Sequence, residues 1–215
     1  MNCGIVLSSG TGDRFGTTLP KQYNTINGST VISYSIDALL QSDMIQKVIV
    51  TIDSQYQELI PNDERIECIE GGDTRNKSLK AALNHIKRTM ECDNVIILEA
   101  ARPMITRDII DQYLRILEDG WDAVITGQRI TDSLGCFDFK TVDRSRYYLI
   151  QAPEAFVFKK LNDYFDEYSP ITATNQQLPG DSKVFINFDF KDNYKITYPE
   201  DLKMIENRMR SRDGL

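Results

Sequence analysis

Cys3-Gly4-Ile5-Val6-Leu7-Ser8-Ser9-Gly10-Thr11-Gly12-Asp13-Arg14-Phe15-Gly16 decides the architecture. An unbroken apolar run, bounded by small and glycine residues, reads as a strand buried on both faces that ends in a tight turn. Four more segments of this kind follow: Lys47–Asp53, Arg65–Glu70, Asn94–Glu99 and Asp122–Gly127. Between them lie helical stripes. One is Ile32/Ile36/Leu39/Leu40 and another is Leu79/Leu83/Ile86/Met90. A third, Ile109/Ile110/Tyr113/Leu114/Leu117, starts near Thr106 and is stopped by Gly120. Strands alternating with helices of this size predict βαβ units and an α/β fold with a mainly parallel sheet.

Outside this alternation, 131–151 reads as a hairpin whose arms are Leu134–Phe139 and Tyr147–Gln151, a candidate arm for dimerisation or substrate contact. Pro153 is expected to open a helix containing Phe156, Leu161 and Phe165. Lys183–Phe188 reads as a last strand, and Pro199-Glu200-Asp201 as the first turn of a C-terminal helix. Repeats and a linker-like stretch are absent, so 1–215 is expected to form a single domain.

Composition narrows the function. The chain has 215 residues, 41% of them hydrophobic and 27% charged, as in an ordinary globular protein. A net charge of −7 argues against a nucleic-acid partner, so any bound anion needs a local cluster of cations. No run is long enough for a membrane span, and Met1-Asn2-Cys3-Gly4 leads straight into the first strand without a basic leader, which suggests a cytoplasmic protein. Cys3, Cys68, Cys92 and Cys136 are scattered, which favours small core hydrophobes over a zinc site or disulfide framework. His85 is the one histidine. It excludes paired-histidine chemistry and, beside an apolar stripe, reads as structural.

In an open α/β sheet, ligands bind at the carboxyl ends of the strands. Three such ends carry chemistry. Ser8–Gly16 can nest a phosphate on backbone N–H groups, with Arg14 inside the loop and Lys21 in Leu19-Pro20-Lys21-Gln22-Tyr23 beside it. It is neither a dinucleotide fingerprint, since Phe15 stands where the third glycine belongs, nor a P-loop, since no Gly-Lys-Ser/Thr closes it. Glu70-Gly71-Gly72-Asp73-Thr74-Arg75-Asn76-Lys77-Ser78 reads either as a capped helix entry or as a nucleobase site using Gly72, Asp73 and Ser78. In Ile97-Leu98-Glu99-Ala100-Ala101-Arg102-Pro103, Glu99 can hold a divalent cation or a sugar hydroxyl, or form a plain ion pair with Arg102.

In this order, these residues resemble the 2-C-methyl-D-erythritol 4-phosphate cytidylyltransferases and the related ribitol-5-phosphate cytidylyltransferases. Gly10-x-Gly12-x-Arg14-Phe15-Gly16…Pro20-Lys21-Gln22-Tyr23, Gly71-Gly72-x-x-Arg75-x-x-Ser78 and Ala100-Ala101-Arg102-Pro103 match the family motifs. Asn193-Tyr194-Lys195-Ile196-Thr197-x-Pro199-Glu200-Asp201-Leu202 resembles the closing one. The resemblance implies a Rossmann-like sheet of the nucleotide-diphospho-sugar transferase type and a protruding β-arm that builds a homodimer. It also implies Mg²⁺-dependent transfer of CMP from CTP to a polyol phosphate.

By the same resemblance, Ser8, Ser9, Gly10, Thr11 and Gly12 would cradle the triphosphate, and Arg14, Lys21 and Lys195 would neutralise it. Gly72, Asp73, Arg75 and Ser78 would hold the nucleotide. Glu99, Arg102, Ser133 and Arg144 would face the acceptor, with Glu99 also the expected metal ligand and Arg144 supplied from a partner's arm. The departures fall on the acceptor half. Glu99 replaces an aspartate, Asp132-Ser133 an Asp-Thr, Ala152-Pro153-Glu154 a Thr-Pro-Gln, and Thr174-Asn175 a Thr-Asp. They keep open another polyol phosphate acceptor, another sugar-phosphate transferase, or a non-catalytic nucleotide-binding module.

Overall fold

A computed structural model of the chain describes residues 1–10, 12, 15, 16 and 19–212. Among them a seven-stranded sheet runs in the order β5-β4-β1-β6-β8-β7-β9. Its strands are β1 (Asn2–Leu7), β4 (Lys47–Ile52), β5 (Ile66–Glu70), β6 (Asn94–Glu99), β7 (Ala123–Arg129), β8 (Tyr148–Val157) and β9 (Val184–Asn187). Two-residue strands β2 (Thr25–Ile26) and β3 (Ser29–Thr30) form a separate small hairpin. Within the sheet β8 runs antiparallel to both neighbours, β6 and β7, and the other pairings are parallel.

The five helices among the described residues are α1 (Val31–Gln41), α2 (Arg75–Thr89), α3 (Arg107–Glu118), α4 (Phe158–Tyr164) and α5 (Pro199–Arg212). Strand side chains alternate between two apolar layers, as the pleat requires. Val6, Val48, Val50, Ile96 and Leu98 pack with Ile36 and Leu39 of α1 and Tyr113 and Leu114 of α3. Ile5, Ile49, Val95 and Ile97 pack on the other face with Leu79, Leu83 and Ile86 of α2 and Leu161 of α4. A third cluster joins Phe15, Ile26, Ala101 and Met104 to Ile196, Ile205 and Met209, and so ties α5 to the loop after β6.

The five expected strands stand within two residues of their expected bounds, and the three expected helical stripes lie on α1, α2 and α3, with α2 starting at Arg75, four residues before its stripe. The second half needs three corrections. Pro153 does not open a helix: it lies inside β8, and Phe156 is a fully buried strand residue. The β7–β8 ladder shifts register between Ile125/Glu154 and Thr126/Gln151, so Ala152 and Pro153 fall outside its paired positions. That is where a strand tolerates a residue without an N–H. The helix begins only at Phe158.

Secondly, Leu134–Phe139 forms no strand, and Phe137 and Phe139 stand almost fully exposed. The pairing expected within the 131–151 excursion is made instead by Tyr148–Gln151 with Thr126–Arg129. Thirdly, Cys136 is half-buried and packs in neither apolar layer, whereas Cys3 is buried in the core and the half-buried Cys68 and Cys92 pack against it. His85 is structural, as expected, and its Nε2 lies 2.7 Å from the Glu67 carboxylate.

Phe156 therefore tests the strand assignment. Paired with Val95 of β6 and Ala123 of β7, it has no room to collapse into. Phe156→Ala is expected to cost about 3–5 kcal/mol in urea unfolding, the range for truncating a buried aromatic.

Candidate active site

Chain order reverses at β1: the sheet grows from β1 to β4 and β5 on one side, then returns to β6 on the other. A crevice opens at the carboxyl end of such a switch point. Here it is a cavity of about 590 Å³, lined by all three chemistry-bearing strand ends and by Lys195.

The turn after β1 is held by its own motif. Gln22 Nε2 donates to the carbonyls of Ser8 (2.6 Å) and Gly10 (2.9 Å), and the Tyr23 hydroxyl reaches Ser8 O at 3.3 Å. Both side chains are buried within a single helical turn, Lys21–Tyr23, and that turn presents Lys21 to the cavity. Gly12 sits at φ +72°, a left-handed conformation in which a side chain would be strained. Ser8 is buried, and its hydroxyl donates to Thr51 O, so it braces β1 against β4. Ser8, Ser9, Gly10 and Gly12 all line the cavity. The expected roles of Thr11 and Arg14 fall outside the described residues.

The second turn touches the first. Ser9 Oγ and Ser78 Oγ lie 2.8 Å apart, and the Ser78 hydroxyl also accepts from Gly72 N–H at 3.1 Å. At Gly72 a Cβ would stand 2.4 Å from Lys77 Cβ and 3.1 Å from Ser78 N, so the close approach requires glycine. Thr74 caps α2 by accepting from Lys77 N–H. The segment is a capped helix entry, as the first reading expects, and Gly72, Asp73, Arg75 and Ser78 line the cavity. Asp73 is exposed and paired with Lys77 at 2.9 Å. The Arg75 guanidinium is tied to protein groups, donating to Glu154 Oε1, Thr174 Oγ1 and Thr172 O.

At the end of β6, Glu99 gathers cations from three directions. Its Oε2 lies 2.9 Å from Lys195 Nζ and 3.1 Å from Arg102 Nε, and its Oε1 is 3.8 Å from Arg75 Nε. Lys195 reaches it because Ile196 N–H donates to Ala101 O, which ties the 193–197 segment alongside the Ala100-Ala101 loop. Arg102 is buried and also donates to Asn193 O at 2.7 Å. It braces Glu99 and Asn193 without lining the cavity. Burial on its own would raise the Glu99 pKa, but Lys195, Arg102 and Arg75 together outweigh it and hold the carboxyl down to about 2. Both oxygens thus face cations, and no group of three or more His, Cys, Asp or Glu side chains suited to a metal occurs among the described residues. Glu99 does not fit the expected magnesium ligand.

Ser133 and Arg144 are exposed on the 131–151 excursion, and neither lines the cavity of its own chain. Arg144 donates back to Thr131 O. The sequence reading gave no role to Gln22, Asn193, Thr197 or Glu154. Gln22 carried a signal, as a polar residue next to Lys21 in the first motif. Glu154 was marked as a departure from the family's Thr-Pro-Gln, but its pairing carried no signal, because its partners Arg75 and Thr174 lie far away in sequence.

The Glu99 cluster sets a pH dependence. A carboxyl whose folded pKa lies below its unfolded value stabilises the fold fully above the unfolded pKa of about 4.5 and loses that contribution as pH falls towards 2. The difference corresponds to about 3 kcal/mol. In urea unfolding from about pH 6 to pH 3, the stability difference between wild type and Glu99→Gln is expected to shrink steadily as the pH falls. A difference that stays constant would contradict the three-cation arrangement.

The model of the 2-C-methyl-D-erythritol 4-phosphate cytidylyltransferase family (IspD) matches residues 3–211. A 2-C-methyl-D-erythritol 4-phosphate cytidylyltransferase of Photorhabdus laumondii is 31% identical, over 94% of this chain and 92% of that protein. Among solved structures, the Francisella tularensis 2-C-methyl-D-erythritol 4-phosphate cytidylyltransferase superposes with a TM-score of 0.75 at 26% identity, covering 94% of this chain and 97% of that one. The 4-diphosphocytidyl-2C-methyl-D-erythritol synthase of Anaerococcus prevotii has the same fold, with a TM-score of 0.82 at 21% identity and coverage of 97% and 96%. With the two glycine turns and the Glu99 cluster meeting in one cavity, and a match over nearly the whole length, the chain belongs to the 2-C-methyl-D-erythritol 4-phosphate cytidylyltransferase family.

Proposed function

We propose that this chain transfers CMP from CTP to a polyol phosphate, releasing pyrophosphate and forming a CDP-polyol, with 2-C-methyl-D-erythritol 4-phosphate as the first acceptor to test. The observation that carries the reading is the single cavity in which the Ser8–Gly12 turn, Lys21, the Gly72–Ser78 turn and the Glu99–Lys195 pair converge. The acceptor's phosphate oxygen is a nucleophile at neutral pH. It attacks the α-phosphorus of CTP, a P–O bond forms there, and the bond to the bridging oxygen breaks to release pyrophosphate. No proton has to be removed, so a chain whose one histidine is engaged by Glu67 is adequate. The protein's task is alignment and stabilisation of the charge that builds up on the α-phosphate and the leaving group. Lys21 and Lys195, which both line the cavity, are assigned to it.

Magnesium is assigned to the triphosphate, whose oxygens are its natural ligands. The working form is read as a homodimer, in which Phe137 and Phe139 of the exposed excursion pack on the partner and Arg144 and Ser133 approach the partner's acceptor end. No helix among the described residues is long and apolar enough to cross a membrane. Acceptor choice extends to ribitol 5-phosphate because Ser133, Ala152 and Glu154 depart from the family pattern.

Pyrophosphate release from CTP and Mg²⁺ with methylerythritol 4-phosphate, ribitol 5-phosphate and glycerol phosphate tests the reading. Turnover with one of them is the expected result, and binding of CTP without release would replace it with a nucleotide-binding module. Lys21→Ala is expected to lower turnover by about 10²-fold, typical for loss of one pre-organised charge donor. Sedimentation should give a dimer for wild type and a monomer for the Phe137→Ser, Phe139→Ser double variant.

A further inference from the structure

Arg75 opens α2 and lines the cavity, yet its guanidinium is turned towards the protein. Its Nη2 donates to Glu154 Oε1 at 2.9 Å, and its Nη1 donates to Thr174 Oγ1 at 3.1 Å and Thr172 O at 3.0 Å. The Thr174 hydroxyl donates in turn to the same Glu154 oxygen at 3.0 Å. Glu154 is buried on β8, opposite Ile97, two residues before Glu99 on β6. The result is a row of alternating charge across the acceptor end: Glu154, Arg75, Glu99, then Lys195 and Arg102.

We propose that Glu154 is a positioning residue for the transfer site: by holding Arg75, it fixes that guanidinium at 3.8 Å from Glu99 Oε1 and so leaves Glu99 Oε2 to hold Lys195 at the cavity. Glu99 Oε1 is already 3.8 Å from Arg75 Nε. Without a charged partner on β8, Arg75 has Glu99 as its nearest anion, and attraction in this poorly solvated corner draws the two together. Glu99 then turns away from Lys195, whose partly exposed ammonium has Glu99 as its one ion-pair partner among the described residues. An ammonium displaced by about 1 Å no longer meets the charge that develops during transfer. The inference deepens the cytidylyltransferase reading and rests on it.

The test measures pyrophosphate release with CTP and the polyol phosphate that wild type turns over, for Glu154→Gln, Arg75→Gln and the double variant. Calorimetry supplies CTP binding, and melting curves are run alongside. Glu154→Gln keeps the Oε1 acceptor, removes the charge and puts an amide NH2 in place of the buried Oε2. It is expected to lower kcat about tenfold and to leave KM for CTP within about twofold. Because Glu154 acts through Arg75, adding Arg75→Gln should deepen the loss little beyond the larger single effect. Thr174→Val is an independent arm that removes the bridging hydroxyl, with a smaller loss of kcat expected in the same direction. A wild-type kcat in Glu154→Gln, or a double variant whose loss is the product of the two single losses, overturns the inference alone. A wild type that binds CTP yet releases no pyrophosphate with any acceptor overturns the transfer reading and this inference with it.

Discussion

The carboxylate of Glu99 is the point on which the acceptor half of the site depends. An anion at the end of a central strand, four-fifths removed from water, is stable only if cations come to it. They come from α2 (Arg75), from its own loop (Arg102) and from the segment before α5 (Lys195). None of the three is near enough in sequence to the other two to be placed by local structure. The pairing therefore works in both directions: the sheet brings Glu99 to its partners, and Glu99 determines where those partners stand.

The nucleotide half rests on a different device. Its two glycine-rich turns leave parallel strands whose edges are already bonded, through Gly71 N–H to Ile52 O and Ser8 N–H to Thr51 O. What remains is to hold the two turns in place. Gln22 does this for the first by occupying two carbonyls, and the Ser9–Ser78 contact joins it to the second. Backbone N–H groups held in this way need no rearrangement when an anion arrives, which is the physical basis of pre-organisation.

Legibility varied with the range of the interactions. The first three helices and five strands were readable because each element's apolar period reports its own burial. β8 was not. Pro153 and the short stripe Phe156, Leu161 and Phe165 have the local look of a helix entry, and the bulge that admits the proline exists only when β7 lies alongside. The 131–151 excursion failed for a related reason. Phe137 and Phe139 alternate as a strand would, but no neighbour within the described chain pairs with them. In the site, Glu99 with Arg102 was visible as a three-residue spacing, whereas Glu154 with Arg75 and Thr174 was invisible at any spacing.

By itself, the sequence determined the fold class and the strand ends that carry the chemistry, because tight turns and buried strands are written in short-range patterns of glycine and apolar residues. Only the tertiary structure decided which charges answer which. Arg75 is bound to Glu154 and Thr174 across the sheet, Arg102 is a buried brace, and Glu99 is ringed by cations where a metal was expected. Electrostatic partners are chosen by distance in space and by shared burial. Both quantities come into being when the strands are laid side by side.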